Sequence, residues 1–497
     1  MNVLGILPWA RIKFPVVDLA DMVYGVRRLQ LGYVPYRDTF THHFLGYILP
    51  FYALGSIVSL TPLVLKIAGV CFNFATAVLL WLLLRDVADR RTAWLGAFLT
   101  VTVGWFWSWQ GAAFNVQSCL APLVAAELLL VVRACLWQRP AWLYAASCLA
   151  GVLLTFDQRA AAFALPGIAS WFLVRHFRRW TTTSLAILLF LLAPGVCLGL
   201  LWWAGAWRDF VDQTLVFPLF YRNQGVPVDV GQFLSAWFGT WLGAERIVIP
   251  IFILGLGIAL LRERRRAITT TWLTACAAAA LAVAIGGRPY PNYFISLAPI
   301  TIVVVSLIPW YLRPWSDAAS GAARVALVSL GLFCALRPMV LLAVTGSVTL
   351  AGSEQTLDAA SAYLRNETTP NDGVLVWGYA PQIYVMSDRF RTFRDAGLLS
   401  VGGGNFASMS GDGRLPHMVH EFDRYLAETP PKVIVVYTMT TGACAGMTPI
   451  LHNLDYEHAA YLQGFRDFIA RSYHSALIVR GKCDRAELLV RQSFGVR

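Results

Sequence analysis

Between Asp18 and His43 the chain crowds together Asp18, Asp21, Arg27, Arg28, Asp38, His42 and His43. A carboxylate can take a proton from an attacking hydroxyl or amine. A guanidinium can fork two oxygens of an anion, and a histidine can shuttle protons or bind metal. Asp18 and Asp21 are three residues apart, so they share a face if the segment is helical. Adjacent histidines point in different directions, so His42 and His43 make a shared divalent-cation site only with distortion. The plainer reading is a solvated loop laced with ion pairs. A mere connection, however, has no need of acids, histidines and arginines crowded beside an interfacial helix.

The elements that must position these groups are membrane helices. The 497 residues are 57% hydrophobic and 14% charged, against about 25% charged in soluble domains. Apolar runs suited to crossing a bilayer fall at 62–84, 92–109, 117–134, 141–156, 160–177, 184–206, 246–262, 268–286, 293–312 and 323–346. Several approach the ~20 residues a hydrocarbon core demands. Residues 44–57 are too short to span and contain Pro50, so they read as an interfacial or re-entrant helix. Residues 1–17, broken by Pro8, Arg11, Lys13 and Pro15, make a poor spanning helix; if they insert, the helix count rises by one, giving a polytopic α-helical protein of about 10–11 spans.

The net charge of +12 sits mostly in loops between the runs, which argues for topology-setting charge and against nucleic acid. Arg85, Arg90, Arg91, Arg133, Arg139, Arg175, Arg178, Arg179, Arg262, Arg264, Arg265, Arg266, Arg313 and Arg324 fall in one alternate set of loops. The opposite set holds fewer: Arg159, Arg208, Arg222, Arg246 and Arg288. The positive-inside rule makes the first set cytoplasmic. Residues 13–61, the 207–245 loop and the region after about 350 are then outside.

From 350 to 497 the pattern changes to that of a small α/β domain. Helices are expected near 355–366, 415–427 and 456–472, and strands at 373–378, 432–438, 476–480 and 487–491. Gly402 to Gly404 opens no clear helix and is not a phosphate loop. Asp388 and Arg389 are expected to be surface ion-pairing groups. Seven cysteines, Cys71 to Cys334, lie in or beside apolar runs, whereas Cys444 and Cys483 are open to a disulfide if the tail is extracytoplasmic.

The spacing D-x5-Y-x3-R-L-x2-G-x2-P-Y-R-D, from Asp18 through Tyr24, Arg28, Leu29, Gly32, Pro35, Tyr36 and Arg37 to Asp38, resembles the first periplasmic loop of the GT-C glycosyltransferases. The branch it resembles includes bacterial relatives of protein O-mannosyltransferases and the lipid A aminoarabinose transferase. The resemblance is motif-specific over about 18–60 and otherwise covers the order of the chain. Leu19 after Asp18 and the His42-His43 pair depart from the family pattern.

The resemblance implies a sugar donor on a polyprenyl phosphate, with Asp18 or the competing Asp21 as catalytic base. Arg28, Asp38, His42, His43, Lys66, Gln158, Arg159, Arg288 and Tyr293 are candidate substrate contacts. Cations are needed to neutralise the departing phosphate. The candidates are Arg159 in Asp157-Gln158-Arg159, Arg288 in the stretch Gly287 to Tyr293, and Lys66 near the outer end of its run. Each has a plainer reading as a snorkelling interface residue. Arg337, inside an apolar run, is read as an interface residue at a helix break before Pro338. The aromatic stretch Trp105 to Trp109, with Gln110, Asn115 and Gln117 beyond it, reads as a membrane–water boundary.

The function expected is transfer of a sugar to a lipid, glycan or protein acceptor at the outer face of a bacterial cytoplasmic membrane. The rival is a transporter or lipid flippase. A transporter concentrates ionisable groups at mid-membrane, commonly in repeated halves. Apart from Arg337 few such groups are evident, and no repeat is visible.

Overall fold

The computed structural model describes residues 17–39, 41, 43–103, 116–216, 248–285, 297–345, 351–378, 380–390, 393, 414–439, 463–481 and 484–492. It divides into two compact units. One comprises Met1–Arg11 and Thr41–Gly346; the other comprises Ile12–Phe40 and Ser347–Arg497. The first external segment is therefore split. Its front part folds with the tail, and the remainder from Thr41 folds with the helical bundle.

In the tail unit, α1 (Val17–Gln30) is the helix formed by the acid-bearing segment. In the bundle unit, α2 (Leu45–Ile57) runs through Pro50 and buries Leu45, Gly46, Tyr47, Ile48 and Phe51. Helix α3 (Pro62–Val87) starts where Thr61 Oγ1 accepts from the Val64 N–H, with Pro62 in the first turn, where its missing N–H costs nothing. Then come α4 (Arg90–Val103), α5 (Val116–Trp137) and α6 (Pro140–Phe156).

The run 160–177 is not one spanning helix. It forms a 3-10 segment Gln158–Ala164, then α7 (Leu165–Leu173), then a 3-10 turn Arg175–Arg178. Asp157 caps the first piece and Pro166 starts the second, so two local signals outweigh continuous apolarity. The 9 residues of α7 reach only about 14 Å, too short for a bilayer core.

Helix α8 (Trp180–Trp203) leaves Leu188, Trp202 and Trp203 exposed, a surface suited to lipid. Short α9 (Trp207–Val211), α10 (Val248–Arg262), α11 (Arg266–Ile285), α12 (Ala298–Leu312) and α13 (Asp317–Thr345) complete the described bundle. Helix α13 continues through Pro338, so the expected break there is absent. Among the described residues Pro62–Val87, Ser118–Trp137, Trp180–Trp203 and Asp317–Cys334 are long and apolar enough to cross a membrane. Pro140–Phe156, Pro250–Arg262 and Ala298–Leu312 are shorter apolar helices. The seven described cysteines, Cys71 to Cys334, are free thiols.

Polar contacts join several helix ends of the bundle. Arg133 Nε donates to Asp86 Oδ2 at 2.7 Å, joining the ends of α5 and α3. Arg265 pairs with Glu263 and donates to Val87 O at 3.2 Å, and Tyr311 Oη donates to Glu263 Oε2 at 3.1 Å. The ends of α3, α5, α10 and α12 thus meet at one level, and all belong to the arginine-rich loop set.

In the tail, α14 (Ala351–Glu367) leads to β1 (Val374–Trp377) and α15 (Pro381–Ser387). Then follow α16 (Arg414–Glu428), β2 (Val433–Met439), α17 (Gln463–Ser472), β3 (Tyr473–Arg480) and β4 (Asp484–Arg491). The sheet order is β1-β2-β4-β3, with β1 and β2 parallel and the other pairs antiparallel. Leu375, Trp377, Ile434, Val436 and Leu489 bury one face against Phe422 and Leu426 of α16 and Phe465 and Ile469 of α17. Val374, Val376, Val433 and Val435 are also buried, on the opposite face, so both faces of the parallel pair are covered. Gly378 ends β1 at φ +115, where a Cβ would sit 2.3 Å from Tyr437 O, so only glycine fits that turn.

Candidate active site

The tail unit holds the acids. Asp18 lies in the first turn of α1, with its side chain outside the described residues, and Asp21 is half-buried one turn on. Arg28, on the same face as Asp21, is buried. Its Nη1 donates to Tyr24 Oη at 3.1 Å, its Nη2 donates to Asp38 O at 3.1 Å, and its guanidinium lies 4.0 Å from the Tyr33 ring centre. Asp38 accepts from the Val34 N–H at 2.7 Å and from Arg37 Nε at 2.9 Å. The hydrogen bond from Arg37 is the main cause holding the Asp38 carboxyl below its ordinary range, helped by the Val34 N–H. Arg28 and Asp38, expected as substrate contacts, thus have partners inside the loop that follows α1. That turn keeps Tyr36 buried at φ +68, a conformation a non-glycine residue adopts only when its surroundings insist.

The bundle unit holds the cations. Lys66 of α3 is 7% exposed, so most of its side chain is enclosed by the protein. A desolvated cation acts more strongly on an anion than one in water. The buried Asp157 pairs with the half-buried Arg159. Asp157 Oδ1 accepts from the Arg159 N–H at 2.8 Å and from its Nε at 2.9 Å, and Arg159 Nη2 donates to Oδ2. Gln158 between them is half-buried.

Helix α2 is fitted to this corner by Gly46: a Cβ there would lie 2.2 Å from Thr155 Oγ1 and 2.6 Å from Thr155 O, two residues before Asp157. One residue before Phe44, the His43 ring meets Tyr47 edge-on at 4.8 Å. Thr41 N donates to Gln213 Oε1 at 3.0 Å, and the rings of Phe44 and Phe210 are 5.4 Å apart. The segments expected outside, 41–57, 155–159 and 207–216, therefore gather through a chain of contacts.

His42, Arg288, Tyr293, Trp105 to Trp109, Gln110, Asn115, Gly402 to Gly404, Cys444 and Cys483 lie outside the described residues, as do the side chains of Gln117 and Arg337. Among the described residues no group of three or more His, Cys, Asp or Glu is placed to hold a metal ion. Two groups of this corner carry little signal in the sequence. Asp157 stands in the motif only as a neighbour of Arg159. Gln213, buried at 3% exposure, had no local signal at all. Arg389, expected at the surface, is buried. It donates to Thr368 Oγ1 at 2.6 Å, Ser387 O at 3.1 Å and Arg365 O at 3.2 Å, closing the C-terminal end of α14.

Residues 53–203 match the family model of dolichyl-phosphate-mannose-protein mannosyltransferases. No curated protein matches the sequence. Over 98% of its length the chain has the fold of ArnT from Cupriavidus metallidurans in the apo state, at 11% identity and TM-score 0.59, covering 96% of that chain. The same protein bound to undecaprenyl phosphate matches over 99% of this chain and 96% of its own, also at 11% identity and TM-score 0.59. The oligosaccharyltransferase of Archaeoglobus fulgidus, in complex with zinc and sulfate, matches over 88% of this chain and 67% of its own, at 14% identity and TM-score 0.51. The chain thus has the fold of these solved structures along most of its length, and its segment 53–203 is similar to the dolichyl-phosphate-mannose-protein mannosyltransferase family.

Proposed function

We propose that the protein transfers a sugar from a polyprenyl-phosphate donor to a lipid, glycan or protein acceptor at the outer face of a bacterial cytoplasmic membrane. The observation that carries this reading is the buried cation Lys66 and the Asp157–Arg159 pair in a membrane bundle of ArnT-like fold. Undecaprenyl phosphate bound to the ArnT relative supports the donor class. Helix α1 packs on the tail within one unit, so both belong on the same side of any bilayer. The arginine-rich loop set, under the positive-inside rule, supports an extracytoplasmic placement of that side.

In the reaction, a carboxylate of α1, Asp18 or Asp21, takes the proton of the acceptor hydroxyl or amine. The freed electron pair attacks the anomeric carbon. The bond from that carbon to the phosphate oxygen breaks, and polyprenyl phosphate leaves. Lys66, Arg159 and Arg288 are assigned to the developing phosphate charge, a task for fixed cations in a dry setting. His42, His43, Gln158 and Tyr293 are assigned to substrate contact, and Arg28 and Asp38 hold the loop after α1. A transporter or flippase gains no support from these relatives, which are glycosyltransferases.

The test is reconstitution in vesicles with a panel of undecaprenyl-phosphate hexoses and pentoses and a membrane lipid extract as acceptor. A new glycosidic bond together with released undecaprenyl phosphate supports the reading. Movement of donor across the vesicle wall with no bond made contradicts it.

A further inference from the structure

The tail unit contains a contact that the sugar-transfer chemistry does not itself use. Strand β1 is an edge strand, and the outward N–H of Val376 needs a partner. It donates to Tyr384 Oη at 2.6 Å. This fixes the buried Tyr384 ring, which lies against the buried ring of Tyr24 in α1 at 5.3 Å between centres. Phe390 flanks Tyr24 at 6.3 Å. One turn further, Arg27 Nη1 donates to Val385 O at 2.9 Å and to Asp388 Oδ1 at 3.2 Å. Asp388 reaches that guanidinium from a left-handed backbone, φ +56, held in place by the buried Arg389 that follows. On its other side Tyr24 Oη accepts from Arg28, which also holds Asp38 O. A continuous series of bonds and ring contacts thus runs from the sheet backbone to the helix that carries the acids.

Asp21 and Asp18 lie three and six residues before Tyr24, about 4.5 and 9 Å along the helix axis. A helix with side chains is about 10–12 Å across, so a 20° turn about its axis would shift a carboxylate by about 2 Å. Misplacement by about 1 Å can cost ~100-fold in rate.

We propose that Tyr384 is a positioning residue, through which the C-terminal domain sets the rotation and height of the acid-bearing helix. This rests on the sugar-transfer reading above. It gives the tail a role in the chemical step, distinct from acceptor binding or simple coverage of the site.

The test uses the full-length protein in vesicles with the same undecaprenyl-phosphate sugars, comparing Tyr384→Phe, Tyr384→Leu and Arg27→Met. Tyr384→Leu is expected to lower kcat about 30- to 100-fold with the donor KM within about twofold, and to displace the acid limb of the pH profile. Tyr384→Phe keeps the ring against Tyr24 and is expected to stay within about threefold of wild-type kcat, although it loses the Val376 bond and so melts earlier. Arg27→Met removes only the outer part of the contact, and an intermediate fall in kcat is expected; it decides the matter if Tyr384→Leu does not fold. A role in folding alone would make Phe and Leu equally poor and tie activity to melting temperature, which would overturn the proposal. So would a loss confined to KM, or unchanged kcat in the Leu and Met variants. If the wild type makes no glycosidic bond from any donor, the functional reading falls and takes this one with it. If the wild type is active and these variants match it, only the positioning role is lost.

Discussion

Gly46→Ala is the sharpest single test of how the bundle builds its polar corner. The added methyl would sit 2.2 Å from Thr155 Oγ1 and 2.6 Å from Thr155 O, against 3.4–4 Å for ordinary contact. The hydroxyl can rotate away, but the carbonyl belongs to the last turn of α6 and cannot. Either α2 or that turn must therefore retreat by about 0.8 Å, the shortfall of 2.6 Å from 3.4 Å. Overpacking of this kind costs about 1–3 kcal/mol. The displaced turn is the one that delivers Asp157 and Arg159. A shift near 1 Å there is expected to lower kcat/KM about 100-fold in the vesicle transfer assay. Gly199→Ala is the control: nothing lies within 4 Å of a Cβ there. It sits in the helix interior, so it is expected to be neutral in activity and to stabilise by up to about 1 kcal/mol. If Gly46→Ala matches wild type in both turnover and melting temperature, the tight seating of α2 on α6 is wrong.

Asp157→Ala removes the carboxylate from the half-buried Arg159 guanidinium, and a loss of up to about 3 kcal/mol in unfolding free energy is expected; equal stability in denaturant titration would show the pair to be dispensable. Lys66→Met removes a buried cation, and turnover is expected to fall about 100- to 1000-fold. Unaltered turnover would remove Lys66 from phosphate stabilisation. Asp484 is buried beneath Thr356 and Tyr437 hydroxyls, and burial raises its carboxyl above 3.8. Its contribution is then full below that ordinary value and is lost as pH rises through the raised one. The melting-temperature gap between wild type and Asp484→Asn is therefore expected to shift against the wild type from acid to neutral pH, and a gap independent of pH would contradict this.

Most helices of the bundle were legible because continuous apolarity and loop arginines act locally along the chain. Runs such as 62–84 and 184–206 reappear as α3 and α8 with boundaries moved by a few residues. The segment 160–177 failed because capping by Asp157 and the break at Pro166 act within single turns, beneath the averaging of a hydropathy window. In the tail the strands and long helices were readable from alternation. The seven-residue α15 was not, since a helix that short owes its existence to tertiary packing. The same holds for the candidate site. Asp18, Lys66 and Arg159 could be named from spacing and resemblance. The seating of Gly46 on Thr155, the Thr41–Gln213 bond and the grip of Tyr384 on Tyr24 join residues far apart in sequence. Arg389 looked like a surface charge because most of its acceptors are backbone carbonyls, which every sequence possesses.

The proposed transfer needs a carboxylate of α1 acting as base, and turnover of Asp18→Asn and Asp21→Asn measures it most directly. With the undecaprenyl-phosphate sugar that the wild type uses, at least one of the two is expected to lose about 100- to 10,000-fold in kcat while still binding donor. If both, and the double variant, turn over within threefold of wild type, the base lies elsewhere and the assignment is wrong.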